Sequence, residues 1–271
     1  MVFYTTAMSS STPDRNKPLP RTARAAGEAS AALPPPPRFP RRQPAPARRT
    51  SLSVEAVVAA AIEALDEGGV AGLSMRKVAD RLDTGAASLY AYVSGKDELL
   101  ELVFDELVGQ VQIPEPDPEA WREQLIKVMR EFHDVLVSHR DAALAGLGRI
   151  PTTPRALVAA EGIAALMRAG GLSDRVVALG LDQLLLYVAA HAFERSMYEH
   201  GDMTGEDLEQ YFEEVHSFFS SLPAASFPVL ASMADELVSV DGEGRLEFGL
   251  ESLIAGLESL SARERANLDR R

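Results

Sequence analysis

From Ser53 onward, apolar residues recur at the three- and four-residue spacing of helices, and no stretch shows the strict alternation of a half-buried strand. A first helix is predicted from Ser53 to about Asp66, with Val54, Val57, Val58, Ala61, Ile62 and Leu65 on one face and Gly68-Gly69 ending it. Ser74 caps a second, Met75 to Leu82, whose Val78, Ala79 and Leu82 face inward. The turn Asp83-Thr84-Gly85 stops it, with Gly85 supplying the backbone freedom for the reversal. Ala86 to Tyr92 then form a third helix with Leu89 toward the same core. Two short helices joined this way make a helix-turn-helix, and the small side chains opening the second let its start approach base edges in a major groove. Ser94 opens a fourth helix, with Asp97 as the acidic member of a capping box. Its stripe Leu99, Leu100, Val103, Phe104, Leu107, Val108 and Val111 runs to about Gln112, where Pro114, Pro116 and Pro118 mark a boundary.

Beyond Glu119 the pattern stays helical. Trp121, Leu125, Val128, Met129, Phe132, Val135 and Leu136 form one stripe; Pro154 starts a helix with Leu157, Val158, Leu166 and Met167, stopped at Gly170-Gly171. Ser173 caps a long segment through Leu184, Leu185, Leu186 and Val188 to about Glu199, apolar on nearly every side and therefore expected at the centre. Thr204 and Asp207 open a further helix bearing Leu208, Tyr211, Phe212, Val215, Phe218 and Phe219, and two more follow around Val229 to Val238 and Leu246 to Leu260. The fold class is all-α: a three-helix helix-turn-helix domain over residues 51–112, a C-terminal helical domain over 118–261 and a tail over 262–271. Residues 1–50, rich in Pro, Ala, Ser and Arg without helical period, read as a disordered arm.

Charge qualifies this picture. A net charge of −13 taken alone argues against a nucleic-acid binder. Residues 1–50, however, hold nine lysines and arginines against Asp14 and Glu28, so a basic arm precedes an acidic body, as suits a protein touching DNA at one end. Arg38, Arg41, Arg42, Arg48 and Arg49 cluster just before the first helix, where they would reach phosphates or a minor groove; a solubilising tail and a segment upstream of the true translation start are the other readings. Within the motif domain the positive charges are few: Arg76, Lys77, Arg81 and Lys96. With no cysteine, disulfides and thiolate metal sites are excluded. The longest apolar run, Leu179 to Ala190, is interrupted by Asp182 and Gln183, and the first residues lack a secretory apolar stretch, so a soluble cytoplasmic protein with no membrane partner, associated with the nucleoid, is expected. Enzyme readings fare poorly. Ser94-Gly95-Lys96 lacks the flanks of a phosphate loop, His133, His139, His191, His200 and His216 lack metal-ligand spacing, and there is no Gly-x-Ser-x-Gly elbow, so no catalytic residue, cofactor or metal is expected.

Leu82 to Lys96 resembles the recognition-helix signature of the tetracycline-repressor (TetR) family of bacterial transcription regulators. Leu89, Tyr90 and Lys96 match it, Ser88, Tyr92 and Val93 are close substitutes, and Asp83 and Thr84 stand where glycine and valine are usual. Phe248 to Leu260, and His139-Arg140-Asp141 followed by Leu147-Gly148 and Pro151, resemble the C-terminal domain of the tetracycline-repressor class, so the likeness spans roughly Leu52 to Leu260. The resemblance implies a homodimer whose late helices pair in a four-helix bundle, a pseudo-palindromic double-stranded DNA operator and a small-molecule inducer. It implies DNA contacts from Arg76 to guanine, from Ser88, Tyr90 and Tyr92, and from Lys96 as a phosphate clamp. Thr84, Ala86 and Ala87 belong to the same reading surface, the alanines through methyl contact or simple clearance. Arg76 also reads as a solvated surface residue, and either tyrosine as a domain-core ring.

In the repressor that names the family, a histidine binds magnesium while another histidine and an asparagine hold the drug; the matching positions here are Gly146, Gln112 and Val128. Without those anchors a magnesium–tetracycline ligand is not expected. A mostly apolar inducer is, in a cavity lined by some of Val111, Gln112, Trp121, Leu125, Met129, Phe132, Leu147, Met167, Tyr187 and His191. Each of these reads equally as plain core, and His191 is a buried polar group in need of a partner. Open alternatives are a regulator without ligand control, an activator, and a helical binding or scaffold protein that does not bind DNA.

Overall fold

A computed structural model of the chain describes residues 52–146, 152–199, 205–239 and 242–268. The arm arginines Arg41, Arg42, Arg48 and Arg49, together with Leu147, Pro151, His200 and Thr204, lie outside the described residues. Among the described residues every regular element is a helix, as the periodicity predicts.

α1 (Val54–Gly72) is capped by the Ser53 hydroxyl, which accepts the Ala56 N–H at 3.2 Å. Its helical geometry breaks at Gly69, near the predicted end, where φ is 61° and a Cβ would overlap the Asp141 carboxylate. α2 (Met75–Arg81) is capped by Ser74 as expected, its hydroxyl accepting from the Lys77 N–H at 3.2 Å. The reversal after α2 corrects the sequence reading. Asp83 takes the left-handed conformation at φ 48°, whereas Gly85 is extended at φ −82°; aspartate is one of the few residues that tolerates this region. α3 (Ala86–Leu89) is a single turn, with Tyr90 to Tyr92 continuing as tight turns bonded back to Ser88 and Leu89. α4 (Lys96–Val108) begins without a side-chain cap. Ser94 and Asp97 do not form the expected box; instead the Glu98 carboxylate accepts the Ser94 N–H at 2.6 Å, and the helix ends at Val108, short of Gln112.

The C-terminal domain comprises α5 (Trp121–Val137), α6 (Ala142–Gly146), α7 (Pro154–Ala169), α8 (Asp174–Glu199), α9 (Gly205–Ser220), α10 (Pro228–Ser232), α11 (Ala234–Ser239) and α12 (Gly242–Leu268). α8 is central, packed against α5, α6, α7 and α12. Contrary to the sequence reading, this helix is long and apolar enough to cross a membrane, but Val176, Gly180, Leu184, Val188 and His191 are buried against neighbouring helices. α9, α10 and α11 pack mainly on one another around Phe212.

α12 lies close on α8 because two glycines remove side chains between them: a Cβ at Gly180 would press on Leu257 and Met167, and one at Gly249 would overlap the Tyr187 hydroxyl. That hydroxyl donates to the Arg245 carbonyl at 2.9 Å, and Arg122–Glu258 and Arg130–Glu247 ion pairs bind α12 to α5. Gly180→Val should overpack this seam and lower unfolding free energy by about 2 kcal/mol, read from urea denaturation. A core of buried side chains runs without interruption from Val57 to Leu257, so the motif domain and the body share one interior.

Candidate DNA-reading head and ligand cavity

The motif domain presents its expected contact residues unevenly. The Arg76 side chain is 89% exposed, with its guanidinium 3.9 Å from Asp80, and Tyr90 is 57% exposed. Ala87 and Ser88 are exposed, Thr84 and Ala86 half-buried, and Leu89 anchors the turn from beneath with no exposure. Tyr92 is half-buried and packs on the core, which matches its core reading. Lys96 is half-buried too, and its ammonium already donates to the Val70 carbonyl at 2.6 Å. The remaining cations are held by the domain's own acids: Arg81 pairs with Glu63 at 3.2 Å and with Glu67, and Lys77 with Glu67 at 3.4 Å. Hydrogen bonding from the Arg81 guanidinium keeps the Glu67 carboxyl below its ordinary range.

Two contacts couple this head to the body at Val70 and Asp66. The Val70 N–H donates to Asp141 at 3.0 Å, so one residue's backbone joins Asp141 through its N–H to Lys96 through its carbonyl. His139 Nδ1 lies 3.0 Å from the Asp66 carboxylate. The His139-Arg140-Asp141 run singled out in the sequence thus contacts the head from the body.

A third link runs through α4. Asp105, 3% exposed, accepts the backbone N–H groups of Arg155 at 2.9 Å and Ala156 at 3.0 Å. Thr153 makes no side-chain cap, so a carboxylate from α4 closes the start of α7 and meets the positive end of its dipole. The Arg155 guanidinium turns back to Asp105 at 3.4 Å and Glu106 at 2.9 Å.

Between α4, α5, α6, α7 and α8 lies a cavity of about 780 Å³, within the range of small-molecule sites. Phe104, Val108 and Val111 form its α4 side, with Phe132 and Gly146 behind, and Ala156, Ala159, Ile163, Leu181 and Leu185 opposite. Of the contacts expected from sequence, Phe132 and Val111 line it. Leu147 falls outside the described residues, and the rest do not line it: Leu125, Met129 and Met167 are fully buried in the core, Trp121 covers Gly170, Tyr187 is bonded to Arg245, and Gln112 is exposed. Large side chains occupy volume, so open space is left beside small ones, and the alanines of α7 and α8 were the missed signal. His191 has its partner in His133, equally unforeseen, at 3.0 Å between Nδ1 and Nε2; one ring donates and the other accepts. At Gly146, where the family's metal-binding histidine would stand, a side chain would overlap the Phe104 ring. Among the described residues no three acidic, histidine or cysteine side chains are grouped to hold a metal.

Comparison with known proteins places these parts in one lineage. The description "Bacterial regulatory proteins, tetR family" matches residues 57–103, and "Tetracyclin repressor-like, C-terminal domain" matches residues 113–261. An HTH-type transcriptional regulator of Saccharopolyspora erythraea is 32% identical, the match covering 79% of this chain and 87% of that one. The HTH-type transcriptional repressor DrrR1 of Streptomyces coeruleorubidus is 32% identical over 83% of this chain and 84% of its own. Among solved structures, ActR of Streptomyces coelicolor in complex with actinorhodin superposes with a TM-score of 0.73 at 39% identity, covering 79% of this chain and 98% of that one.

Proposed function

The chain belongs to the TetR family of bacterial transcription regulators, and on that premise we propose that it is a homodimeric repressor released from a pseudo-palindromic operator by a small, largely apolar molecule. The observation that carries the proposal is the cavity walled by α4, the helix that also supports the reading head and is joined to α7 through Asp105. Occupancy moves α4 against α7, changes the spacing of the two α3 turns across the dimer, and weakens the DNA complex; coupling of this kind is typically about 1–3 kcal/mol. The ActR complex with actinorhodin supports a small-molecule ligand. Exposed Leu179, Leu186 and Phe248 on α8 and α12 support pairing of those helices between subunits.

In the head, Arg76 reads guanine, Tyr90 and Ser88 contact the backbone, Thr84, Ala86 and Ala87 give close approach, and Tyr92 and Lys96 brace the turn while reaching phosphate. The test is fluorescence anisotropy of a labelled fragment from upstream of the gene, at two salt concentrations. Preference over random DNA, weakening with salt, is the expected result, and Arg76→Ala and Tyr90→Ala should each reduce affinity by about tenfold. A protein that selects no sequence from the whole genome would sink the reading.

Because Arg81, Lys77 and Arg76 all have acidic neighbours within the head, the arginines of residues 38–49 are the next source of positive charge for binding phosphate. Deleting residues 1–47 should weaken operator binding and flatten its salt dependence; unchanged affinity and slope would reduce the arm to a solubilising tail.

A further inference from the structure

A stripe on α9 alternates carboxylates with aromatic rings, and from it we infer that this face holds the chain's own N-terminal arm, through residues 33–49. Asp207, Tyr211, Glu214 and Phe218 follow one another at spacings of four, three and four, which sets them in one line along a helix. All four are exposed, Phe218 by 61%, while Phe212 turns away from them to pack with Val215 and Val238. The Glu214 carboxylate accepts from the Gln210 amide at 3.0 Å, a neutral partner. α10, packed on α9, adds exposed Val229 and Leu230 to this apolar surface.

Charge selects the occupant. From Ser196 to Gly244 the sequence holds no lysine or arginine, and every aspartate and glutamate between 205 and 239 is exposed. Residues 33–49 are the complement, with five arginines, seven prolines, Phe39 and no acid. Guanidinium groups pair with carboxylates and lie flat on aromatic rings, and proline-rich stretches suit ring-bearing surfaces. The same face of a second copy would instead set like charge against like. Residues 1–50 can span up to about 160 Å, so the stripe is within reach. The docked arginines are the ones proposed above to reach phosphate, so α9 and DNA compete for them. With the arm held on α9, the head meets random DNA with cations already beside its own acids, and binds it weakly. The docking goes beyond the repressor reading, and only this competition rests on it.

Trypsin cleavage after Arg42 in the full chain at low salt tests the docking without DNA. The bond should be cut at least about fivefold more slowly than in a synthetic peptide of residues 33–49, because cleavage follows the undocked population. Glu214→Gln combined with Phe218→Ala should restore the peptide's rate, with helical content unchanged by circular dichroism. Binding to a random DNA duplex then tests the competition. The same double variant should bind that duplex about fivefold more tightly than the parent, and gain less than about twofold once Arg38, Arg41, Arg42, Arg48 and Arg49 are all changed to Gln. An arm cut as fast as the peptide, which is also the result if a second copy covers the face, overturns the inference, as does protection that survives the double variant. An equal gain in DNA affinity with and without the arm arginines overturns the competition. Protection in a protein that binds no DNA would keep the docked arm and sink the repressor reading instead.

Discussion

Asp105→Ala is expected to lower the unfolding free energy by about 3 kcal/mol, because it leaves the Ala156 N–H buried and the Arg155 N–H part-buried without an acceptor. The Arg155 guanidinium adds less, since it is partly exposed and keeps Glu106 at 2.9 Å. Urea unfolding measures the loss. Asp105→Asn retains one acceptor oxygen and should recover roughly half of it. The two variants also separate stability from signalling: α4 stays tied to α7 in Asp105→Asn, whose remaining oxygen can accept both N–H groups, and loses the tie in Asp105→Ala, so only the alanine variant should bind operator more weakly than its stability accounts for. A cost below about 1 kcal/mol for the alanine variant would mean that α7 finds another cap and that α4 is not tied to it.

Leu179→Glu combined with Phe248→Glu is expected to abolish the proposed dimer and, with it, tight operator binding. Phe248 is 74% exposed on α12 and Leu179 is 54% exposed on α8, while neither lines the cavity, so carboxylates there leave the interior of each subunit intact. A single head keeps its own contacts and loses the advantage of two joined heads, which amounts to about two to four orders of magnitude in affinity. Sedimentation velocity should show the monomer, with helical content unchanged by circular dichroism. A variant that stays dimeric would place the subunit interface elsewhere on the surface.

The parts readable from sequence were those governed by local spacing. Leu65, Leu89 and Leu107 fall in amphipathic stripes, and Ser53 and Ser74 precede them as caps, so the helices and the helix-turn-helix followed directly. What escaped depends on contacts across distance. Asp105 caps a helix through a donor fifty positions later, although an acid set between Phe104 and Leu107 on a buried stripe was a sign that some donor awaited it. Similarly, His191 announced a buried need without naming His133, which lies fifty-eight positions away. The cavity's lining was hard to read through size: Trp121, Met129 and Met167 look like ligand contacts by chemistry, yet they are buried and do not line it, while the small Ala156, Ala159 and Ala178 do. At the turn, glycine at position 85 drew attention away from Asp83, whose side chain is small enough to accept the left-handed conformation.

The backbone of Val70, held by Asp141 through its N–H and by Lys96 through its carbonyl, limits how this regulator can be recombined with its relatives. Grafting the head onto a foreign sensor is a natural route to new circuits, with the proline-rich stretch after Gln112 as the obvious seam. A cut there would carry Asp66, Val70 and Lys96 away from His139 and Asp141, leaving a chimera that folds but whose halves no longer answer each other. A working hybrid must take residues 139–141 from the same parent as the head.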